Sequence, residues 1–278
     1  MVGLCAAMER RLAVPTAIAA GSDIFLFNKD LEEDVRFMKE GIENGILKLE
    51  RIDEAVTRIL AMRAALKLPE KQAEARLVPP KEDLAVLKGE KHVEWAKQAA
   101  DNGITLVKDT ADNLPLRPEA TPRLLLQVIG PYEEANTQIT STVIPLLEKA
   151  GFRVTLYQPE DFTTGFESVS QFRSKYDAVL YLANIENRSN ATTTRINWYT
   201  FFGQGNNIPW FVDEVPTVFA SLGNPYHLMD VPMVKTYINT YDNHQAVIEA
   251  LVAKILGKSD FKGVSPIDPY CGLMDARR

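Results

Sequence analysis

Aromatic residues between positions 198 and 211 form the cluster whose side chains and spacing most directly suggest chemistry. Aromatic faces stack on sugar rings, so this cluster could form a platform for carbohydrate. The helical spacing of Trp198, Phe201 and Phe202 suits packing onto a sheet equally well, and core packing is the favoured interpretation. The cluster consists of Trp198, Tyr199, Phe201, Phe202, Trp210 and Phe211.

Cysteine and histidine are scarce, and their positions exclude two other kinds of chemistry. The two cysteines, Cys5 and Cys271, lie near opposite ends of the chain, so no CxxC pair or disulfide framework can be read. The three histidines, His92, His227 and His244, are far apart and form no HExxH or HxH pattern. We therefore expect no structural zinc site, no other metal and no cofactor.

The charge balance limits the expected partners. The chain has 278 residues, with 31 Lys and Arg against 37 Asp and Glu, and a net charge of −6. Phosphate contacts need clustered Lys and Arg, and because the sequence has no such cluster, nucleic acid is not expected as a partner. No apolar run approaches the roughly 18 residues that a membrane span needs, so no membrane partner is expected either.

The first residues bear on the location of the protein. The apolar stretch at residues 1–8 precedes the first charges, which is the wrong order for a secretory signal. If the chain starts where its gene starts, we expect a cytoplasmic protein. Secretion of a longer parent protein stays open, because its N-terminus would not be visible here.

The predicted secondary structure differs between the first part of the chain and the rest. Asp23–Phe27 is an apolar run of strand length, which predicts a strand buried on both faces. Helices are predicted at Leu31–Asn44 and from Leu49 onward. A single strand between helices cannot form a core, so it joins either the later sheet or a larger sheet whose other members are missing. The charged, proline-bearing linker that follows favours the second alternative.

Beyond this linker, strands alternate with helices, which predicts βαβ units around a mostly parallel sheet. The predicted strands are Ile104–Lys108, Arg123–Ile129, Arg153–Tyr157, Ala178–Ala183, Thr217–Ser221 and Val234–Thr240. The predicted helices are His92–Asn102, Ala135–Ala150, Ser168–Lys175, Thr194–Phe202 and Gln245–Leu256.

Several segments resemble family 3 of the glycoside hydrolases, especially its bacterial β-N-acetylhexosaminidases and related β-glucosidases. The resemblance covers nearly the whole chain, and it is specific because the segments occur in the right order. They are AIAAGSDIFLF at residues 17–27, GIENGILKLERIDEAVTRILAMRAALKL at 41–68, ADNGITLVKDTADNLPL at 100–116 and SLGNPYHLMDVP at 221–232.

The resemblance implies a division of the chain. Members of this family join a (β/α)8 barrel to an α/β sandwich domain. The fold class expected here is therefore α/β, a C-terminal remnant of the barrel followed by the sandwich with a mostly parallel sheet. Residues 1–67 would be the last barrel strand and helices, residues 68–89 a linker, and residues 90–278 the sandwich.

The resemblance also implies a function for a longer parent protein. That protein would remove terminal β-linked N-acetylhexosamine or glucose by a retaining mechanism, which uses two carboxyl groups about 5–5.5 Å apart. Residues 1–3 resemble the stretch immediately downstream of the family's nucleophilic aspartate. We therefore expect the chain alone to contain no catalytic residue and to be inactive, with carbohydrate as the substrate of the parent.

The same resemblance points to residues near substrate. In some family members the acid/base glutamate comes from the second domain, and Glu186 is the one carboxylate in the equivalent loop at residues 184–190. A solvated glutamate is the favoured reading, because a general acid must be partly buried. Arg188 and Arg195 would clamp sugar hydroxyls or pair with surface acids, the second being the default. Asn28 and Lys29, just past the last predicted barrel strand, would line the sugar pocket.

Two further expectations concern the chain as a unit. If Met1 is a genuine start, the chain is instead a stand-alone sugar-binding or scaffolding domain without hydrolase activity. The unpaired strand of the barrel remnant would expose an apolar edge, which invites pairing with another chain. A homodimer through residues 1–66 is therefore expected.

Overall fold

The structure is a computed structural model, and it describes residues 6–158, 168–188, 194–198, 200–201, 204–205 and 207–278. The chain divides into two compact units, Met1–Val86 and Leu87–Arg278. Within the described residues, no helix is both long and apolar enough to cross a lipid bilayer.

The first unit is helical. Its core is small, because the first two helices bury only a few side chains, among them Val14 and Phe37. Gly41 permits their close approach, since a Cβ at that position would lie 2.4 Å from Cβ of Pro15. The helices are α1 (Arg10–Ala19), α2 (Leu31–Glu43), α3 (Leu49–Ala65) and α4 (Leu68–Ala73), followed by a 3-10 turn at Lys81–Val86. The last two elements lie in the segment predicted as a linker.

The segment predicted as a strand, Asp23–Phe27, is irregular in the structure. A strand needs hydrogen-bonding neighbours, and neither of the two sheets in the described part of the chain includes this segment. Its apolar side chains are accordingly exposed, with Leu26 at 64% and Phe27 at 85%. The strand prediction for this segment is therefore wrong, because a single segment without neighbouring strands cannot form a sheet.

The second unit contains a six-stranded sheet. Its strands are β1 (Thr105–Asp109), β2 (Arg123–Ile129), β3 (Arg153–Leu156), β4 (Ala178–Asn184), β7 (Thr217–Leu222) and β8 (Thr236–Asn239), while β5 (Thr200–Phe201) and β6 (Gln204–Gly205) form a separate pair. The strand order is β1-β8-β7-β4-β2-β3. All neighbours are parallel except β1, which pairs antiparallel with β8. This is the predicted α/β fold with a mostly parallel sheet.

Helices and loops cover both faces of this sheet. On one face lie α5 (Glu90–Gly103), α6 (Glu133–Ala150) and α8 (Gln245–Ile255), which pack on alternate strand residues such as Leu124. On the other face, α7 (Val169–Lys175) and the loops between β4 and β8 pack on residues such as Leu125. β4 is buried along its whole length, which explains its uninterrupted apolar sequence.

The helix predicted at residues 194–202 does not form. Residues 194–198 are irregular, and the chain then enters the β5–β6 pair. Tertiary contacts hold these residues instead. The carbonyl of Thr194, which a helix would use internally, lies 2.8 Å from Nε2 of His227, and the backbone N–H of Ile196 donates to Asp230 at 3.1 Å. Local spacing of aromatic residues could not reveal these distant partners.

Three members of the aromatic cluster have described side chains, and these pack on the core: Trp198, Trp210 and Phe211. Phe211 is buried and stacks on Phe172, with ring centroids 4.2 Å apart. Trp198 packs against the same cluster, and Trp210 meets Phe172 edge-on at 5.9 Å. Packing is thus their role where the structure describes them. Tyr199, Phe202 and the side chain of Phe201 lie outside the described part of the chain, so their role stays a prediction.

Candidate functional site

The order of the strands places a topological switch point between β2 and β4, and the space outside their carboxyl ends is here called the crevice. The connection after β2 enters α6 on one face of the sheet, whereas residues after β4, such as Ile185 and Ile196, pack on the other face. In open α/β sheets, ligands bind outside the carboxyl ends of the strands where the connections diverge in this way. The carboxyl ends of β2 and β4 are therefore the first place to look for a site.

Gly130 brings the two strand ends together. A Cβ at this position would lie 2.6 Å from the carbonyl oxygen of Asn184 and 2.6 Å from Oδ1 of Asn136, so a larger residue cannot fit without displacement. The Asn136 amide donates to the carbonyl of Gly130 at 3.0 Å, and the Asn184 amide donates to Oδ1 of Asn136 at 3.0 Å. The bottom of the crevice is thus closed by hydrogen-bonded amides.

Asn243 extends this amide network to a carboxylate. Its Nδ2 donates to Oδ1 of Asn184 at 2.9 Å and also to Oε1 of Glu186. The second carboxylate oxygen of Glu186 lies 3.7 Å from the guanidinium of Arg188, and that guanidinium stands over the Tyr132 ring at 4.2 Å. The Glu186 side chain, which is 35% exposed, is therefore oriented by groups from two loops.

Gly223, at the end of β7, forms another wall for this carboxylate. Its φ of +85° lies in the left-handed region that favours glycine, and a Cβ there would lie 3.0 Å from Cγ of Glu186.

Donors directed at Glu186 and a guanidinium beside it suit hydrogen bonding to sugar hydroxyls. The carboxylate would accept from a hydroxyl, and Arg188 would donate to one.

The loop that carries Asn243 is held in place by Asp242. Oδ1 of Asp242 accepts from the backbone N–H of Asn243 at 2.7 Å and lies 2.5 Å from Nδ1 of His244. Partial burial opposes ionisation of Asp242, but these hydrogen bonds lower its pKa below the usual value. The carboxylate therefore stays ionised and fixes the start of α8.

A serine–histidine pair beneath the crevice is structural. The side chain of Ser221 is fully buried, and its Oγ lies 2.6 Å from Nδ1 of His227, which is 1% exposed. Burial lowers the pKa of His227, and the nearby Thr194 carbonyl only partly offsets this effect. Because neither side chain reaches solvent, the pair cannot act on a substrate and instead ties the loop after β7 to Thr194.

The structure separates the site residues predicted from sequence. Glu186 and Arg188 lie together at the crevice, whereas Nε of Arg195 lies 2.5 Å from Oδ1 of Asp230, whose side chain is 8% exposed. Asn28 and Lys29 are exposed in the first unit. Their proximity to a substrate stays a prediction.

Sequence reasoning missed the amides and glycines that surround Glu186. Gly130, Asn184 and Gly223 each end or directly follow a parallel strand, while Asn136 and Asn243 lie within seven residues of one. Polar or glycine residues at strand carboxyl ends are the signal that would have found them, because those ends meet at one edge of the sheet.

Comparison with known proteins identifies relatives over nearly the whole chain. No protein-family model matches it. It is 41% identical over 281 residues to the β-N-acetylglucosaminidase/β-glucosidase of Cellulomonas fimi, a match that covers 99% of this chain and 49% of the relative. The chain thus spans about half the length of the curated relative that it matches.

Solved structures give a consistent result. The β-glucoside phosphorylase BglX is 40% identical and superimposes with a TM-score of 0.68, covering 98% of this chain and 48% of that one. A family 3 glycoside hydrolase from Paenibacillus, a β-N-acetylglucosaminidase, is 19% identical with a TM-score of 0.50, covering 92% of this chain and 47% of that one. The second likeness concerns the fold alone.

Proposed function

Since the chain belongs to glycoside hydrolase family 3 and corresponds to its C-terminal portion, we propose that it is part of an enzyme that removes terminal β-linked N-acetylglucosamine or glucose with retention. The observation that carries this proposal is the 41% identity over 281 residues to an enzyme named for both activities. The chain itself would complete the enzyme without supplying the nucleophile.

The switch-point crevice would be the contribution of this chain to substrate binding. Glu186 is oriented by Asn243 and Arg188, so its carboxylate is ready to accept hydrogen bonds from sugar hydroxyls. This pre-organisation reduces the entropy lost on binding. Asn28 and Lys29, which are exposed just after the segment that resembles the family's last barrel strand, would contact the sugar from the barrel side.

Phosphorolysis is the second candidate reaction. A structure 40% identical to this chain is named a β-glucoside phosphorylase, and the same name is given to its complex with 2FGlc. In that reaction phosphate replaces water as the acceptor of the glycosyl group, so the product is a sugar phosphate. The two candidates share the donor sugar and differ in the acceptor.

A hybrid enzyme tests the proposed function. The portion of the Cellulomonas fimi enzyme that matches this chain is replaced by this chain, and nitrophenol release is measured from the β-N-acetylglucosaminide and the β-glucoside. We expect turnover by the hybrid and none by the chain alone. Formation of a sugar phosphate on addition of inorganic phosphate would identify phosphorolysis.

The controls separate the remaining alternatives. A hybrid that folds but releases no nitrophenol would contradict the proposal, and sugar binding by the chain alone would then favour the stand-alone domain. Turnover by the chain alone would show that one of its own carboxylates does the chemistry, and Glu186 would be replaced first.

A cytoplasmic location stays a prediction that cell fractionation of the source organism would test.

Self-association is expected through the first unit. Exposed apolar side chains there include Leu26, Phe27 and Leu60, the last on α3, and burying them against a second copy is favourable. Light scattering should show a dimer or larger species for the full chain and a monomer after removal of residues 1–85. A full chain that stays monomeric across a dilution series would overturn this expectation.

A further inference from the structure

A groove opens between the first half of α6 and the start of α8. Its volume is about 410 Å³, within the range of small-molecule sites. Ile139 and Ile248, both buried, contribute an apolar surface, and Ala135 adds a methyl group. None of these residues belongs to the Glu186 crevice, although Asn243 borders both.

The remaining lining residues carry neutral hydrogen-bonding groups. Gln138, Ser141 and Thr142 face the groove from α6, and Gln245 does so from α8. The hydroxyls of Ser141 and Thr142 donate to the carbonyl of Gln138 at 2.8 and 3.1 Å, so their oxygen lone pairs are left to accept. The groove thus combines an apolar surface with amide and hydroxyl groups.

His244 adds an oriented group at the same groove. The Asp242 carboxylate holds its Nδ1 at 2.5 Å, which fixes the ring and places the proton on that nitrogen. Nε2 is then free to bond to a ligand hydroxyl, as an acceptor in the neutral ring and as a donor in the protonated one. An oriented group of this kind is suited to a hydroxyl of a ligand.

The surrounding charge excludes ionic ligands. None of the described residues lining the groove is Asp, Glu, Lys or Arg. The charged groups at the starts of the two bordering helices, and just before α8, are acidic: Glu133 and Glu134 on α6, Asp242 before α8, and Glu249, which accepts from Gln245. They repel phosphate and carboxylate, while a cation would find no carboxylate oxygen in the lining.

We propose that this groove is a binding site for one ring of a neutral pyranoside. The C–H face of such a ring packs on Ile139 and Ile248, and its hydroxyls bond to Gln138, Ser141 and His244. No aromatic residue among the described lining residues stacks on the ring, so the dissociation constant is expected in the millimolar range. Only the choice of probe sugars rests on the proposed function.

Titration of the purified full chain, followed by NMR, tests this site. The probes are methyl β-glucoside, methyl β-N-acetylglucosaminide and inorganic phosphate. We expect saturable shifts with at least one sugar and none with phosphate. Ser141→Trp fills the groove and is expected to weaken sugar binding at least about tenfold. Thr137→Trp is the matched control, because Thr137 is also exposed on α6, with its hydroxyl bonded to the carbonyl of Glu133, and should bind as the unaltered chain does.

The proposal is overturned if no sugar gives saturable shifts, if phosphate binds, or if Ser141→Trp and Thr137→Trp behave alike. Circular dichroism of both variants establishes that they are folded before titration. Turnover by the hybrid enzyme described above is measured separately, without any substitution in the groove. Failure of the hybrid therefore bears on the proposed function alone, and failure of the titration bears on the groove alone.

Discussion

Replacing Asp101 by asparagine is expected to lower the free energy of unfolding of the second unit by roughly 3 kcal/mol. Lys254 on α8 is fully buried, and its ammonium lies 3.0 Å from the Asp101 carboxylate on α5. It also donates to the carbonyl of Asp260 at 2.6 Å and to Ser259 at 3.2 Å. The variant Asp101→Asn leaves a buried ammonium without its counter-charge, which is why the loss is large.

The measurement is urea unfolding followed by tryptophan fluorescence. All three tryptophans, Trp95, Trp198 and Trp210, lie in the second unit, so the signal reports that unit alone. Lys262→Met is the matched control, because Lys262 pairs with the same carboxylate at 3.2 Å but is 59% exposed. An exposed pair contributes at most about 1 kcal/mol. Equal losses for the two variants would show that burial of Lys254 is not decisive.

The ion pair between Asp101 and Lys254 also makes the free energy of unfolding depend on pH. The Ser259 hydrogen bond, followed by that of Lys254, lowers the pKa of Asp101 to about 2 in the folded chain. The unfolded chain therefore takes up this proton first as the pH falls. The stabilisation is complete above a pH of about 4 and is lost as the pH falls toward about 2. The stability difference between the unaltered chain and Asp101→Asn should shrink over that interval.

Gly130→Ala is expected to have the second large effect. The new methyl group would lie 2.6 Å from the backbone carbonyl oxygen of Asn184, which cannot move without displacing β4. We expect a loss of about 2–3 kcal/mol in the free energy of unfolding. The displaced strand end would also break the hydrogen bond between Asn184 and Asn136 and release Asn243 from the crevice.

Gly103→Ala is the control for this substitution. A Cβ at Gly103 meets nothing within 4 Å, so a change within about 0.5 kcal/mol is expected. NMR spectra of the asparagine side-chain amides would show whether the crevice network is disrupted in Gly130→Ala. Unchanged amide signals together with unchanged stability would mean that the strand ends adjust easily and that glycine is not required there.

Sequence patterns predicted the sheet well where burial is continuous. The run Ala178–Ala183 was predicted as a strand, and the structure confirms it and extends it by one residue to Asn184. The patterns failed where distant partners decide the conformation. The contact of the Thr194 carbonyl with His227 replaces a hydrogen bond of the predicted helix, and the segment Asp23–Phe27 lacks the neighbouring strands that would make it a strand.

The candidate site was predicted only in part, for a related reason. Glu186 and Arg188 were found because a resemblance pointed to their loop. Asn136 and Asn243 are more than a hundred positions apart, and both contact Asn184 only because parallel strands bring their carboxyl ends to one edge. Short-range spacing contains no information about such a meeting, whereas the order of strands in the sheet does.

The antiparallel strand at the edge of the sheet also constrains the order of folding. β1 begins at Thr105, and its partner β8 ends at Asn239, so a ribosome completes most of the second unit before this pairing can form. Closing so long a loop is slow compared with local contacts. The strands β2, β3 and β4 are adjacent and made early, so they are the natural nucleus. During synthesis, β1 and α5 stay unpaired until β8 has been made, and in that interval they would be accessible to chaperones.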